Sequence, residues 1–126
     1  MKLNAIHHVA IWVSDVNKAR AFYVDKLGFA VVRENAREDK GDVKLDLQLG
    51  ETELELFCAK GHPPRASYPE ALGLRHLAFR VENMDDAVVW LAKMGIDTEP
   101  VRLDPFTSKR MTFFFDPDGQ PLELHE

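Results

Sequence analysis

The sequence predicts an α+β fold of two tandem strand–helix–three-strand modules, which form a curved mixed sheet with the helices on its outer face. Short segments in which apolar and polar residues alternate are typical of strands, and two longer segments have the apolar spacing of helices. The second half of the chain also repeats the first at an offset of 68 positions, as in the pairs His8 and His76, and Glu55 and Glu123. One such half leaves a sheet face bare, so we expect both halves to form a single domain. The predicted boundaries are about 4–59 for module one, 60–73 for the connector and 74–126 for module two of a domain spanning 1–126.

Size and charge limit the class of protein. With 126 residues, of which 45% are hydrophobic, the chain is long enough for one domain with a real core. The net charge of −5 and the scattered basic residues argue against nucleic acid or an anionic membrane as a partner. No apolar run approaches the roughly 20 residues of a membrane helix, and the first residues lack the apolar core of a signal peptide, so we expect a cytoplasmic protein. Cys58 is the single cysteine, which excludes an internal disulfide and a cluster of thiolate ligands.

The first module begins with a predicted strand over residues 7–13. Ser14 or Asp15 is expected to cap the following helix, which ends at Gly28 in a left-handed conformation. The elements predicted after this helix are a strand over 29–33, a polar loop over 34–41 and strands over 43–49 and 53–58.

The connector contains Pro63, Pro64 and Pro69, which exclude a helix or a central strand. Module two then repeats the order of module one, with Asn83 or Asp85 as the cap of its helix. Its other elements are predicted at 74–81 (strand), 97–103 (weak strand), 104–109 (loop), 110–115 (strand), 116–119 (turn) and 122–125 (strand).

Strand alternation places four chemically active side chains on one side of the predicted sheet. The more apolar side of the first strand of each module must face the helices, so His8 and His76 point to the opposite, concave side. The leucines that flank Glu55 and Glu123 fit the helix-covered side. Both carboxylates are therefore expected in the same concavity as the two histidines.

Two imidazoles and two carboxylates suit one divalent ion of the Zn²⁺, Ni²⁺, Mn²⁺, Fe²⁺ or Co²⁺ class. Without an ion, burying two glutamates together is costly. The alternative interpretation is that these are solvated edge residues and ordinary structural histidines. The equal offsets and matching strand positions favour the metal site.

Further side chains are predicted to line the pocket because they have the same position in the alternation, or lie near the open side of the sheet. Lys109 and Arg110 could hold a substrate carboxylate there, although a solvated loop is an equal alternative. The predicted substrate-binding residues are Trp12, Phe57, Arg80, Arg110, Thr112 and Phe114.

The motifs resemble the vicinal oxygen chelate superfamily, which includes glyoxalase I, fosfomycin-resistance thiol transferases, methylmalonyl-CoA epimerase, extradiol dioxygenases and bleomycin-resistance proteins. The resemblance covers essentially the whole chain and implies a pair of βαβββ modules. It also implies that His8, Glu55, His76 and Glu123 match the two-His, two-Glu ligand set of glyoxalase I. The motifs that carry it are HHVAI at 7–11, AFY at 21–23 through LGF at 27–29, LELF at 54–57, RHLAF at 75–79, and DPDG at 116–119 through LEL at 122–124.

The match to glyoxalase I implies a lyase that isomerises a thiol hemithioacetal of a 2-oxoaldehyde through a metal-bound enediolate. One divalent ion, Zn²⁺ or Ni²⁺ before Mn²⁺, Co²⁺ or Fe²⁺, would act as the Lewis acid. Glu123 or Glu55 would move the proton as general base and acid, with Glu123 preferred. The connector and the loop over 104–110 differ from those of the well-known glutathione-dependent enzymes, so the thiol could be one other than glutathione, or the substrate a different compound.

Two alternatives remain within the same fold. One is another metalloenzyme, namely a thiol transferase, an epimerase or a ring-cleaving dioxygenase, for which Glu55 would be a surplus carboxylate. The other is a non-enzymatic protein that sequesters a small molecule, which would not need the four ligands. A homodimer is also expected, because each module leaves open sheet edges.

Overall fold

A computed structural model describes all 126 residues, and their contacts divide the chain into two compact units, Met1–Pro63 and Pro64–Glu126. Each unit contains a four-stranded mixed sheet and one helical segment, in the order strand–helix–three strands. The predicted fold class of two tandem βαβββ modules is confirmed. Neither helical segment is long and apolar enough to cross a membrane.

The first unit has the strand order β1-β4-β3-β2, with β1 parallel to β4 and the other pairs antiparallel. Asp15 caps α1, since its carboxylate accepts hydrogen bonds from the amides of Asn17 and Lys18. Gly28, with φ +79°, ends the helical segment as predicted. The elements are β1 (His8–Val13), α1 (Val16–Arg20, continued by the π-helical segment Ala21–Lys26), β2 (Ala30–Arg37), β3 (Asp42–Leu49) and β4 (Thr52–Cys58).

Strand β2 is longer than predicted, because the polar residues assigned to a loop at 34–41 continue it as far as Arg37. Arg37 pairs with Asp42 across the hairpin, and Arg33 pairs with Asp46. The pairing has a bulge between Val31 and Arg33, after which Arg33, Asn35 and Arg37 face the same side as Asp46. Cross-strand ion pairs thus hold a strand that has no apolar alternation.

The second unit repeats the topology as β5-β8-β7-β6, with β5 parallel to β8. Asn83 caps α2 through a hydrogen bond from the amide of Asp86, and Gly95 follows the helix with φ +71°. Strands β5 and β6 are shorter than the predicted 74–81 and 97–103. The elements are β5 (Leu77–Arg80), α2 (Met84–Lys93), β6 (Arg102–Leu103), β7 (Arg110–Phe115) and β8 (Pro121–His125).

Each sheet has one apolar side that forms the core of its unit. In the first unit, Leu45 and Leu47 of β3 and Tyr23 of the helical segment are fully buried. In the second unit, Leu122 of β8 and Met84 of α2 are fully buried. The opposite side of each sheet is left for polar chemistry.

Candidate metal centre

The first unit brings His8 and Glu55 together on the polar side of its sheet. In the parallel pairing of β1 with β4, Ala10 lies opposite Glu55, so His8, Ala10 and Glu55 share one face. The Nε2 atom of His8 lies 3.8 Å from Oε2 of Glu55. The other oxygen of Glu55, Oε1, accepts a hydrogen bond of 2.9 Å from the ammonium group of Lys44. The two oxygens of this carboxylate therefore face different partners.

A group of charged residues surrounds Glu55. Asp46 is buried, accepts a hydrogen bond of 2.9 Å from Nε of Arg33 and lies 3.2 Å from Nζ of Lys44. Arg33 also donates to Glu53, and oxygens of Asp46, Glu53 and Glu55 lie within 4.8 Å of one another. The hydrogen bond to Glu55 is the main reason that the pKa of Lys44 is raised. Two cations thus offset three neighbouring carboxylates.

The second unit forms the equivalent pair with a shorter distance. Nε2 of His76 lies 2.8 Å from Oε2 of Glu123. Glu123 is only 6% exposed, and it contacts His76 but no lysine or arginine. Phe113 lies opposite Glu123 in the strand pairing, and the ring of His76 stands edge-on to Phe113 at 5.1 Å. Nη1 of Arg75 lies 3.3 Å from Nδ1, the other ring nitrogen of His76. In both units, Nε2 is the histidine nitrogen directed at the carboxylate.

The two polar faces differ in chemical character. On β3 the residues that share a face with Glu55 are polar or charged, whereas the residues of β7 that share a face with Glu123 are apolar. The first set is Lys44, Asp46 and Gln48, and the second is Met111, Phe113 and Phe115. One glutamate therefore sits among charges and the other among aromatic rings.

Three of the predicted pocket residues lie on these faces. Trp12 is half exposed, stacks on His62 at 3.9 Å and lies 5.5 Å from the ring of Phe57. The guanidinium of Arg37 lies over the Phe57 ring at 4.9 Å. Arg80 is exposed and shares the face of Glu123 in the second unit.

The predicted placement of Thr112 and Phe114 beside Glu123 is wrong. They pair with Leu124 and Leu122, and both are fully buried on the apolar side of the sheet. Thr112 donates its hydroxyl hydrogen to the backbone carbonyl of Glu99 at 2.7 Å. The alternation along β7 is opposite to the predicted one, so Phe113 takes the position beside the carboxylate of Glu123.

Arg110 also departs from its predicted role as a substrate anchor. Its guanidinium donates to both carboxylate oxygens of Glu126 at 2.7 and 3.0 Å and to Asp85 at 3.0 Å. Glu126 in turn accepts from the amide of Met84 at the start of α2. Arg110 therefore ties the end of the chain to α2, and its donors are occupied by protein groups.

Sequence reasoning missed Lys44, Arg33 and Phe113. Lys44 precedes Asp46 by two residues on a regularly alternating strand and therefore shares its face, so the sequence contained the signal for its position. Arg33 was hidden by the bulge in β2, and Phe113 by an unbroken aromatic run.

The donor set of each pair fits a divalent ion. Two ligands at about 2.1 Å from an ion and at right angles to each other lie about 3 Å apart, and the 2.8 Å between His76 and Glu123 matches this separation. The 3.8 Å between His8 and Glu55 is longer than this separation. Neutral imidazole and carboxylate are also the ligand types that Zn²⁺ and Ni²⁺ accept.

A family model described as the Glyoxalase/Bleomycin resistance protein/Dioxygenase superfamily matches residues 5–124. The chain belongs to this superfamily. Its members typically use a divalent metal and bind small-molecule substrates.

Close relatives of this superfamily member align over nearly their whole length. The uncharacterized protein YwkD of Bacillus subtilis is 57% identical, and the alignment covers 100% of this chain and 99% of that protein. The uncharacterized protein YaeR of Escherichia coli is 49% identical, with 98% and 97% covered. The crystal structure of a glyoxalase family protein from Enterococcus faecalis has 60% identity and a TM-score of 0.96, with 100% of both chains covered.

More distant relatives have names that state an activity. The 2-epi-5-epi-valiolone epimerase of Actinomyces is 32% identical over 95% of this chain and 78% of that protein. Human methylmalonyl-CoA epimerase is 35% identical over 75% of this chain and 56% of that protein. The metallothiol transferase FosB of Staphylococcus epidermidis is 27% identical over 99% and 83%. A lactoylglutathione lyase from Agrobacterium tumefaciens, at 22% identity, a TM-score of 0.76 and coverage of 100% and 96%, shows the shared fold alone.

Proposed function

We propose that the chain is a divalent-metal-dependent enzyme that moves a proton between adjacent carbons of a small substrate, as glyoxalase I does. The residues that would hold its ion, Zn²⁺ or Ni²⁺, are His8, Glu55, His76 and Glu123. The observation that carries the proposal is the repeated His–Glu pair, in which Nε2 of the histidine faces Oε2 of the glutamate in both units. When bound, the ion would act as a Lewis acid on two adjacent oxygens of the substrate.

Glu123 is the proton carrier in this proposal, and Glu55 is the fixed ligand. Lys44 donates a hydrogen bond to one oxygen of Glu55 and so holds that carboxylate in place. Glu123 has no such cation and lies against Phe113, where water has little access. Its carboxylate, which lies 2.8 Å from the imidazole of His76, would take a proton from the carbon beside a carbonyl and return it to the neighbouring carbon.

The substrate proposed first is a hemithioacetal formed from a 2-oxoaldehyde and a thiol, and the product is a thioester. The experiment incubates Ni²⁺- and Zn²⁺-loaded protein with methylglyoxal and glutathione, and then with other thiols, and measures thioester formation. Protein stripped with a chelator and the Glu123→Gln variant are the controls and are expected to be inactive. If no thiol and no metal give a thioester, the lyase proposal is rejected.

A second candidate is an epimerase, which is favoured by the 32–35% identity to two proteins named as epimerases. The same proton removal beside a carbonyl would serve it. Loaded protein is incubated with methylmalonyl-CoA in D₂O, and deuterium incorporation at the α-carbon is measured by mass spectrometry. Exchange there without thioester formation in the first assay would select the epimerase.

The ligand set is tested separately from the reaction. His76→Ala and Glu123→Gln are each expected to abolish stoichiometric metal binding, measured by elemental analysis after dialysis, while circular dichroism stays unchanged. Glu99→Gln is the matched control, because Glu99 pairs with Arg102. One ion per chain in both ligand variants would remove the site assignment. The homodimer belongs to the same proposal, and sedimentation velocity tests it.

A further inference from the structure

Arg80 lies on the same face of the second unit as the proposed ligands. It follows His76 by four residues on β5, and Ala78 between them pairs with Glu123. Alternation along the strand therefore directs Arg80, Ala78 and His76 to one side. The strand partner of Arg80 is His125, two residues after Glu123.

Arg80 is exposed and has no hydrogen bond, ion pair or ring contact in the structure, whereas every other arginine has at least one. Arg80 does not lack a partner because acidic residues are scarce, since the chain has 21 acidic and 16 basic residues. Two acids at this end of the sheet have other partners, because Asp104 lies 3.4 Å from His125 and Glu126 is held by Arg110. A free guanidinium on the polar face of an acidic chain is a cation available to a ligand.

The residue between His76 and Arg80 leaves room for such a ligand. Ala78 has only a methyl group, and it is exposed. Four residues of a strand span about 13 Å. A molecule that reaches from the His76–Glu123 pair toward Arg80 therefore crosses an open stretch of sheet several atoms long.

We propose that Arg80 binds a carboxylate of the substrate, several atoms away from the two oxygens that the metal would hold. This inference rests on the proposed function and names the class of its substrate, which is a carboxylate-bearing compound with vicinal oxygens. The planar fork of a guanidinium matches a carboxylate with two parallel hydrogen bonds. Arg80 takes no part in the proton transfer and sets specificity.

The experiment uses two hydroxamates that chelate a metal through the same two oxygens. One is succinic acid monohydroxamate, which ends in a carboxylate, and the other is its analogue with a terminal carboxamide. Isothermal titration measures the affinity of both for Ni²⁺-loaded protein with the natural sequence and for Arg80→Met, Arg80→Lys and Lys93→Met. Lys93 is the matched control, since it is an exposed cation at the end of α2 in the same unit.

The natural protein is expected to bind the carboxylate about tenfold more tightly than the carboxamide, as a charge-assisted hydrogen bond provides. Arg80→Met is expected to remove this preference, Arg80→Lys to keep part of it, and Lys93→Met to leave it unchanged. Equal preference in the natural protein and Arg80→Met overturns the inference but leaves the metal site intact. If neither hydroxamate binds to any loaded variant, the proposed function fails, and the inference fails with it.

Discussion

Replacement of Thr112 by valine removes one hydrogen bond from the core of the second unit while keeping the shape of the side chain. Thr112 is fully buried, and its hydroxyl donates to the carbonyl of Glu99 at 2.7 Å. The variant loses this bond and leaves the carbonyl oxygen without that partner, which costs about 1–2 kcal/mol of unfolding free energy. With an unfolding entropy of about 2.1 cal/mol/K per residue, this corresponds to a decrease of about 4–8 °C in Tm.

The measurement is thermal unfolding followed by calorimetry, with urea unfolding as a second estimate of the free energy. Thr107→Val is the control, since Thr107 is exposed, and its effect is expected to stay within about 0.5 kcal/mol. Metal affinity of Thr112→Val is expected to be unchanged, because Thr112 faces away from Glu123. Unchanged stability together with weakened substrate or metal binding would refute the register of β7 and place Thr112 on the polar face.

Three further predictions concern the second unit. The hydrogen bonds from Arg110 lower the pKa of Glu126 from its usual 4.5 to about 2. This carboxylate therefore stabilises the fold fully above pH 4.5, and the stabilisation is lost as the pH falls toward 2. Arg110→Met should flatten this acid dependence of the urea midpoint, and an unchanged pH profile would contradict the pairing. Gly95 has φ +71°, so Gly95→Ala should cost about 1–2 kcal/mol in urea unfolding, and a neutral result would argue against the left-handed helix end. Asn83→Ala removes the cap on the amide of Asp86 and should cost about 1 kcal/mol, with Asn83→Asp as the variant expected to restore it.

The fold was predictable because each module has strands with clear alternation, and the modules repeat each other. Strand β3 is the best case, since its apolar residues and its polar residues occupy opposite faces without exception through Leu49. Strand β2 was cut short for the opposite reason. Its last residues are polar on both faces, and cross-strand partners such as Asp42 cannot be recognised before the pairing is known.

The site was predictable only as far as alternation could be followed. The positions of Glu55 and Glu123 between leucines fixed their faces, and the structure agrees. The segment from Phe113 to Phe115 is apolar on both sides, so a period of two gives no information about which residue faces the core. Which of these residues faces the core is decided by the parallel pairing of β5 with β8 and the antiparallel pairing of β7 with β8. These pairings depend on the folded structure and cannot be read from the alternation.

The difference between the charged face of β3 and the aromatic face of β7 also means that the two modules cannot replace each other. The module with Lys44 places Glu55 beside an ammonium group, while the module with Phe113 places the buried Glu123 beside an aromatic ring. A chimera carrying either half twice would therefore keep a His–Glu pair in each half but lose the contrast between the surroundings of its two carboxylates.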